Sequence, residues 1–420
     1  MRSLLLGLLA CLIPVAAWFV PALACASAVA VEAPEPTGTI RLAGVGDVMV
    51  HQSVKCTARA QEEPESGAAG NNKGWNNLFE DVADVMHVAD VSFANLETPL
   101  VEATTSDPWF LESGAFPLFK APPELADALK WANFHVVSVA NNHSFDQGEK
   151  GIASTLDAVR KAGLIPIGAG HTRELAEGPQ IVMVRGVKIG FLGATGFLNI
   201  PTKFDSDEPQ VAVLTDASLP AFCQRVKELK ARVDLVVMSI HWGEEEMTTP
   251  REREKNFAHA LCEAGVDVVL GHHPHVLQPI EVFDAKDGRR SVICYSLGNF
   301  VTGNPKDSWR QGAIVILEAA RGPGGAVRLT TYGYVPTWCT NDSQSKRVQN
   351  TERMIRNAQV LLADATITGS QRSAASAQLA HYQKQLAAVR KALGPSWVDL
   401  TAPGHDKKPA SVETSGSPRP

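Results

Sequence analysis

Between residues 38 and about 335, short apolar runs rich in Val and Ile alternate with stretches whose apolar residues recur every three or four positions. The runs include "TIRLAGVG", "VSFANL", "FHVVSVA", "DLVVMSIHW", "DVVLGHH" and "SVICYSLGNF". Each is short, β-branched and bounded by turn residues, which predicts buried strands. The stretches between them include "WNNLFEDVADVMHVA", "PPELADALKWAN", "GEKGIASTLDAVRKAG" and "REREKNFAHALCEAG", which read as helices. Strand–helix alternation predicts an α/β layered domain over 38–336, with central β-sheets flanked by helices. Two closely spaced β segments in "IVMVRGVKIGFLGA" predict a hairpin added to the sheet.

The pattern changes at both ends. "RMIRNAQVLLADA" and "SAQLAHYQKQLAAVRKAL" keep a helical spacing, giving a helical extension over 345–395. Residues 396–420 are polar and rich in Pro, Ser and Gly, the composition of a disordered tail. At the other end, "MRSLLLGLLACLIPVAAWFVPALACASA" sets Arg2 before a long apolar run that closes on small residues. That is the layout of a secretory signal over 1–28. An uncleaved anchor is the rival, since the run approaches bilayer-spanning length; Pro14, Pro21 and the small-residue end favour cleavage. "ALAC" also resembles a lipoprotein box ending at Cys25, with Ala22 where that pattern prefers Leu. Each alternative places the body of the protein outside the cytoplasm, periplasmic or extracytoplasmic, with or without a membrane tether.

Composition narrows the function. The 420 residues carry a net charge of −6, which argues against a broad nucleic-acid surface. An anionic ligand must therefore be drawn by a local positive centre. Beyond the leader, Cys56, Cys223, Cys262, Cys294 and Cys339 form an odd set, so no complete disulfide framework follows, and none has metal-ligand spacing to another.

In α/β sheets, chemistry collects just past the carboxyl ends of the strands. Asp47 and His51 follow the first strand, Asn95 and Glu97 the second. Asn141, Asn142, His143 and Asp146 follow the third, His241 a later one, and His272, His273 and His275 the next; Asn299 closes the series. Each residue alone is ordinary turn or loop chemistry. Together they repeat the donor types that suit Zn, Mn or Fe at successive strand ends. Glu244 and Glu245 read as a solvated loop.

In order, "GDVMVH", "NLETPL", "FKAPPE", "ANNHSFDQG", "HWGEE", "GHHPHVLQP" and "YSLGNF" resemble the blocks of the CapA-type capsule-synthesis (poly-γ-glutamate) family, related to the calcineurin-like metallophosphoesterases. The resemblance covers about residues 40 to 336. It implies a metallophosphoesterase-like fold and two divalent metal ions held by Asp47, His51, Glu97, Asn142, His241, His273 and His275. His143 is then the proton donor, with Asp146 orienting it. The wider pattern has a His two residues after the first Asp; position 49 is Met here, so His51 stands in from a different spacing. Glu97 takes the place of a bridging Asp, and His272 is the extra member of its trio.

What this implies functionally is a metal-dependent hydrolase of phosphoester-type substrates at the cell envelope, with an anionic small molecule or acidic polymer as ligand. Three readings stand beside it. One is a non-catalytic accessory protein that binds or exports an acidic capsule polymer with membrane-associated synthesis or export proteins. Another is a metal-dependent amide hydrolase acting on such a polymer, and the last is a scaffold that keeps ligands for stability alone. All of them expect Asp47, Glu97, Asn142, His241, His273 and His275 at one rim of a single sheet.

Overall fold

Long apolar runs that do not alternate with polar residues need cover on both faces, and the molecule provides it by pressing two sheets together and layering helices outside them. The structure is a computed structural model describing the backbone of 29–31 and residues 39–61, 72–102, 117–200, 202, 210–322, 324–341 and 346–394. The expected leader, with Cys25, and the expected tail over 396–420 lie outside the described residues. No helix among the described residues is long and apolar enough to cross a membrane.

The first sheet runs in the order Val348–Asn350, Val327–Cys339, Gln311–Arg321, Thr39–Val48, Val91–Leu96, Val136–Ser138 and Ile165–Ile167, with Asn299–Val301 beside the end of Thr39–Val48. The second runs Val29–Val31, Gln180–Val184, Val187–Thr195, Leu235–His241, Val268–His272, Arg290–Cys294 and Ile280–Asp284. Within each, a parallel core carries the chemistry. Thr39–Val48, Val91–Leu96, Val136–Ser138 and Ile165–Ile167 are parallel in the first. Val187–Thr195, Leu235–His241, Val268–His272 and Arg290–Cys294 are parallel in the second. Parallel strands deliver their carboxyl ends to one edge, so register decides what meets. Asp47 lies opposite Asn95 and His241 opposite His272.

Leu42, Phe93 and Val136 of the first sheet pack against Phe191, Val237 and Leu270 of the second. Each such side chain contributes about 1.5–3 kcal/mol by leaving water. Outside the first sheet lie helices Glu124–Trp131 and Gly148–Lys161, burying Leu125, Leu129 and Val159. Outside the second lie Leu219–Lys230 and Glu252–Ala264, burying Phe222, Val226, Phe257 and Leu261. Leu235–His241 is therefore buried along its whole length. The expected layered α/β domain is present, and the hairpin is Gln180–Val184 antiparallel to Val187–Thr195.

The two longest strands after Val268–His272 were not read in the sequence. Gln311–Arg321 and Val327–Cys339 form a long antiparallel pair that extends the first sheet by pairing with Thr39–Val48. The second of them runs past residue 336 and pairs with Val348–Asn350. The C-terminal extension forms helices Thr351–Ala363 and Gly369–Leu393. Val389 and Leu393 of the latter share a core with Leu277, Ala313 and Tyr334, so the extension is packed onto the sheets. The five cysteines are free, with Cys262, Cys294 and Cys339 buried.

Candidate metal centre

The first strand does not end straight. Its register against Val91–Leu96 shifts between Gly44 and Asp47, a bulge that re-aims the last side chains. Gly46 is required there, because a Cβ would sit 1.8 Å from the Gly298 carbonyl oxygen, which accepts the Asp47 N–H at 3.0 Å. Asp47 is thereby held with its carboxylate fully buried. Its Oδ1 accepts from Asn95 Nδ2 at 2.8 Å and lies 3.2 Å from His272 Nδ1. Its Oδ2 accepts from the His273 backbone N–H at 3.3 Å and from His275 Nδ1 at 3.1 Å. Burial pushes the Asp47 pKa upward, but the hydrogen bonds and charges of His272 and His275 outweigh it and hold the group well below the usual range.

Glu97 stands one residue past Val91–Leu96, with its backbone N–H on the Val48 carbonyl at 3.1 Å. It too is fully buried, yet neither carboxylate oxygen has a hydrogen-bond partner among the described residues. His241 Nε2 lies 3.5 Å and His275 Nε2 3.8 Å from Oε1. Burial and the neighbouring Asp47 charge push the Glu97 pKa well above its ordinary value. A buried carboxylate of this kind is costly unless something positive meets it.

The histidines come from the second sheet. His241 ends its strand fully buried, with Nε2 2.8 Å from Asn142 Oδ1 and Nδ1 3.3 Å from Asn95 Nδ2. Burial holds it well below the usual imidazole range, so its ring stays neutral and able to ligate. Past Val268–His272 the chain makes a tight turn in which His273 (φ 96°) and His275 (φ 58°) both adopt left-handed backbone around Pro274. Such positions cost about 1–3 kcal/mol each in non-glycine residues and persist where the surroundings demand them. Here they aim two successive rings inward. The His273 pKa is lowered to about 3 by burial. The His275 Nδ1–H is shared between Asp47 and Asn299 Oδ1, the latter at 3.0 Å, which leaves Nε2 free to face Glu97. Asn299 is itself fixed by donating to the Trp309 carbonyl at 2.9 Å.

Two donor groups result. Ligand atoms of Glu97, His273 and His275 lie within 4.8 Å of one another, and so do those of Asp47, Glu97 and His241. Glu97 belongs to both. The mixed nitrogen and oxygen donors and the unpartnered Glu97 oxygens fit a divalent transition metal such as Zn, Mn or Fe. Beside them, His143 Nδ1–H donates to Asp146 Oδ2 at 2.7 Å and the Phe119 N–H donates to the same oxygen at 2.6 Å, while the buried Asp146 Oδ1 has no hydrogen-bond partner among the described residues. Burial raises the Asp146 pKa against the opposing pull of His143.

Two expectations need revising. The set does not gather on the rim of a single sheet: Asp47, Glu97, Asn142 and His143 follow strands of the first sheet, and His241, His273 and His275 follow strands of the second. His51 stands outside both donor groups. It immediately precedes helix Gln52–Ala60, its Nδ1 accepts the Gly303 N–H at 3.1 Å, and its ring rests 5.1 Å from that of Phe119. Among the other neighbours, Phe119 opens the "FKAPPE" block, while Phe197, Trp309 and Asn199 carried no sequence signal. Phe119 lies 4.5 Å from the His143 ring, Phe197 4.8 Å from the His273 ring and Trp309 4.5 Å from the His275 ring, while Asn199 binds Asn142.

Residues 41–304 match the sequence profile of the family described as "Bacterial capsule synthesis protein PGA_cap". The chain is 29% identical to the PGA biosynthesis protein CapA of Bacillus subtilis (strain 168), over 68% of this chain and 69% of that one. It is 31% identical to the capsule biosynthesis protein CapA of Bacillus anthracis, over 61% of this chain and 58% of that one. A probable polyglutamine synthesis accessory protein of Mycobacterium tuberculosis (strain ATCC 25618 / H37Rv) is 30% identical over 50% of this chain and 55% of its own. Among solved structures, the NAD nucleotidase of Haemophilus influenzae aligns with a TM-score of 0.41 and 12% identity over 84% of this chain and 67% of that one, a likeness too slight to bear on activity. The chain belongs to the bacterial capsule synthesis protein PGA_cap family.

Proposed function

We propose that this protein is a metal-dependent hydrolase of phosphoester-type substrates, exported to the cell envelope, whose donors, Glu97 among them, would hold two divalent ions. The observation that carries the reading is the buried Glu97 carboxylate, unpartnered at both oxygens and common to two donor groups. One ion would be held by Glu97, His273 and His275, the other by Asp47, Glu97 and His241 with Asn142 alongside. Two such cations supply Lewis-acid charge stabilisation and a hydroxide nucleophile at neutral pH. They also provide the local positive centre that a chain of net charge −6 otherwise lacks.

The chain's own groups do the rest. Asn95 and His275 hold the ionised Asp47 in place, and Asn299 fixes the His275 ring. His143 delivers a proton from Nε2 to the leaving alkoxide, while Asp146 keeps the Nδ1 proton in place and so fixes the ring's orientation. The test is hydrolysis of a generic aryl phosphate by the purified protein with Mn²⁺ or Zn²⁺. Turnover that is lost in Asn142→Ala and His275→Ala with the fold intact supports the reading. Failure of the metal-loaded protein to turn over any phosphomonoester or phosphodiester contradicts it.

The names of the relatives favour a second reading, in which the same centre engages the carboxylates of an acidic capsule polymer, either as an accessory to its export or by hydrolysing its amide bonds. Binding of a γ-glutamyl polymer without turnover of any ester would favour the accessory role, and shortening of that polymer the amidase.

A further inference from the structure

The loop after strand Val187–Thr195 has the sequence "GFLN" and touches residues from both sheets within four positions. The Gly196 N–H donates to the His241 carbonyl at 2.7 Å, and the Thr195 hydroxyl donates to the Phe197 carbonyl at 2.7 Å. The Phe197 ring meets the His273 ring edge-on at 4.8 Å. At its end, the Asn199 N–H donates to the Asn142 carbonyl at 3.0 Å. The side chains then meet directly: Asn142 Nδ2 donates to Asn199 Oδ1 at 3.2 Å, and Asn199 Nδ2 lies 3.5 Å from His143 Nε2.

A side-chain amide has one acceptor end and one donor end, and only the acceptor end can face a cation. Asn142 turns its oxygen to His241 Nε2 at 2.8 Å because its nitrogen is occupied on the other side. The group occupying that nitrogen is the Asn199 oxygen. With Asn199 removed, the Asn142 amide is free to flip and present its NH₂ to the position that Asp47, Glu97 and His241 surround. We infer that Asn199 is a positioning residue for the metal centre, fixing Asn142 with its oxygen toward the site shared with His241. The inference rests on the metal-centre reading above. The backbone bonds of Gly196 and Asn199 do not involve the Asn199 side chain, so the loop keeps its anchors when that side chain is changed.

The probe is Co²⁺, titrated into the full chain as its visible absorption and binding heat are followed. Asn199→Leu keeps the size and removes the polar end; Asn199→Asp restores an acceptor for the Asn142 nitrogen. Wild type should take up two equivalents. Asn199→Leu should bind one as before and the second about 10–100-fold more weakly with an altered spectrum, the cost typical of losing a partner that orients a ligand. Asn199→Asp should recover the second site. Two equivalents bound by Asn199→Leu with wild-type affinity and spectrum would overturn the inference alone. Loss of both ions together with the melting transition, unrescued by Asn199→Asp, marks a general structural role and overturns it as well. A wild type that binds no cobalt overturns the metal-centre reading and this inference with it.

Discussion

Two buried carboxylates sit at neighbouring strand ends and are treated in opposite ways. Asp146 receives the Phe119 N–H and the His143 ring N–H on one oxygen, so its charge is met by protein groups. Glu97 is fully buried, has no hydrogen bond to either oxygen among the described residues, and faces Asp47, whose charge pushes its pKa further upward. Burial raises both groups; among the described residues Asp146 keeps two protein donors on Oδ2 and none on its buried Oδ1, whereas Glu97 has none on either oxygen. The Glu97 pocket brings together the donors of a site, with His241, His273 and His275 around the carboxylate. Under the proposed function the difference separates two jobs: one carboxylate would orient a proton carrier, and the other would be shared between cations.

Substitutions can break this contrast in order of severity. Glu97→Gln should abolish both turnover and uptake of two ions, read by elemental analysis and phosphatase assay, because it removes the donor that the two groups share among the described residues. His143→Ala should leave metal content unchanged and slow hydrolysis of an alkyl phosphate by about 10²–10⁴-fold. A nitrophenyl phosphate should suffer much less, since its leaving group needs no proton; equal losses on both substrates would remove His143 from the role of acid. Asn299→Ala should weaken metal binding by about 10–100-fold through loss of His275 orientation, measured by calorimetric titration.

The same contrast predicts a pH signature in the metal-free protein. The folded pKa of Glu97 lies above its ordinary value of 4.5. Its contribution to stability is therefore fully present below that value and is lost as pH rises through the folded pKa. Denaturant midpoints of metal-free wild type should fall relative to Glu97→Gln as pH is raised above 4.5, and the two should stay at a constant offset below it. A difference that grows in favour of wild type with rising pH would mean that the carboxylate is already balanced.

Much of this was legible in the chain because burial on both faces writes itself as unbroken Val and Ile runs, and the donors stand at fixed offsets from their ends. The strand Val91–Leu96 and the turn around Pro274 are examples. The division into two sheets left no comparable mark, since which parallel strands pair depends on contacts far apart in sequence, such as Leu42 and Phe93 against Leu270. His51 shows the limit of spacing arguments. It is four residues from Asp47, but it stands just before helix Gln52–Ala60 and the Gly303 N–H takes its Nδ1. Asn199 lies in a loop with no motif, and only the three-dimensional approach to Asn142 gives it meaning.

Metal equivalents bound per chain, determined together with the melting temperature as Mn²⁺ or Zn²⁺ is added, test the central claim most directly. Two equivalents should bind to wild type, and at a concentration 100 times the dissociation constant each independent ion should stabilise the fold by about 2.7 kcal/mol. No saturable binding, or binding that leaves the melting transition where it was, would contradict the claim that Glu97 is held unpartnered in order to share two cations.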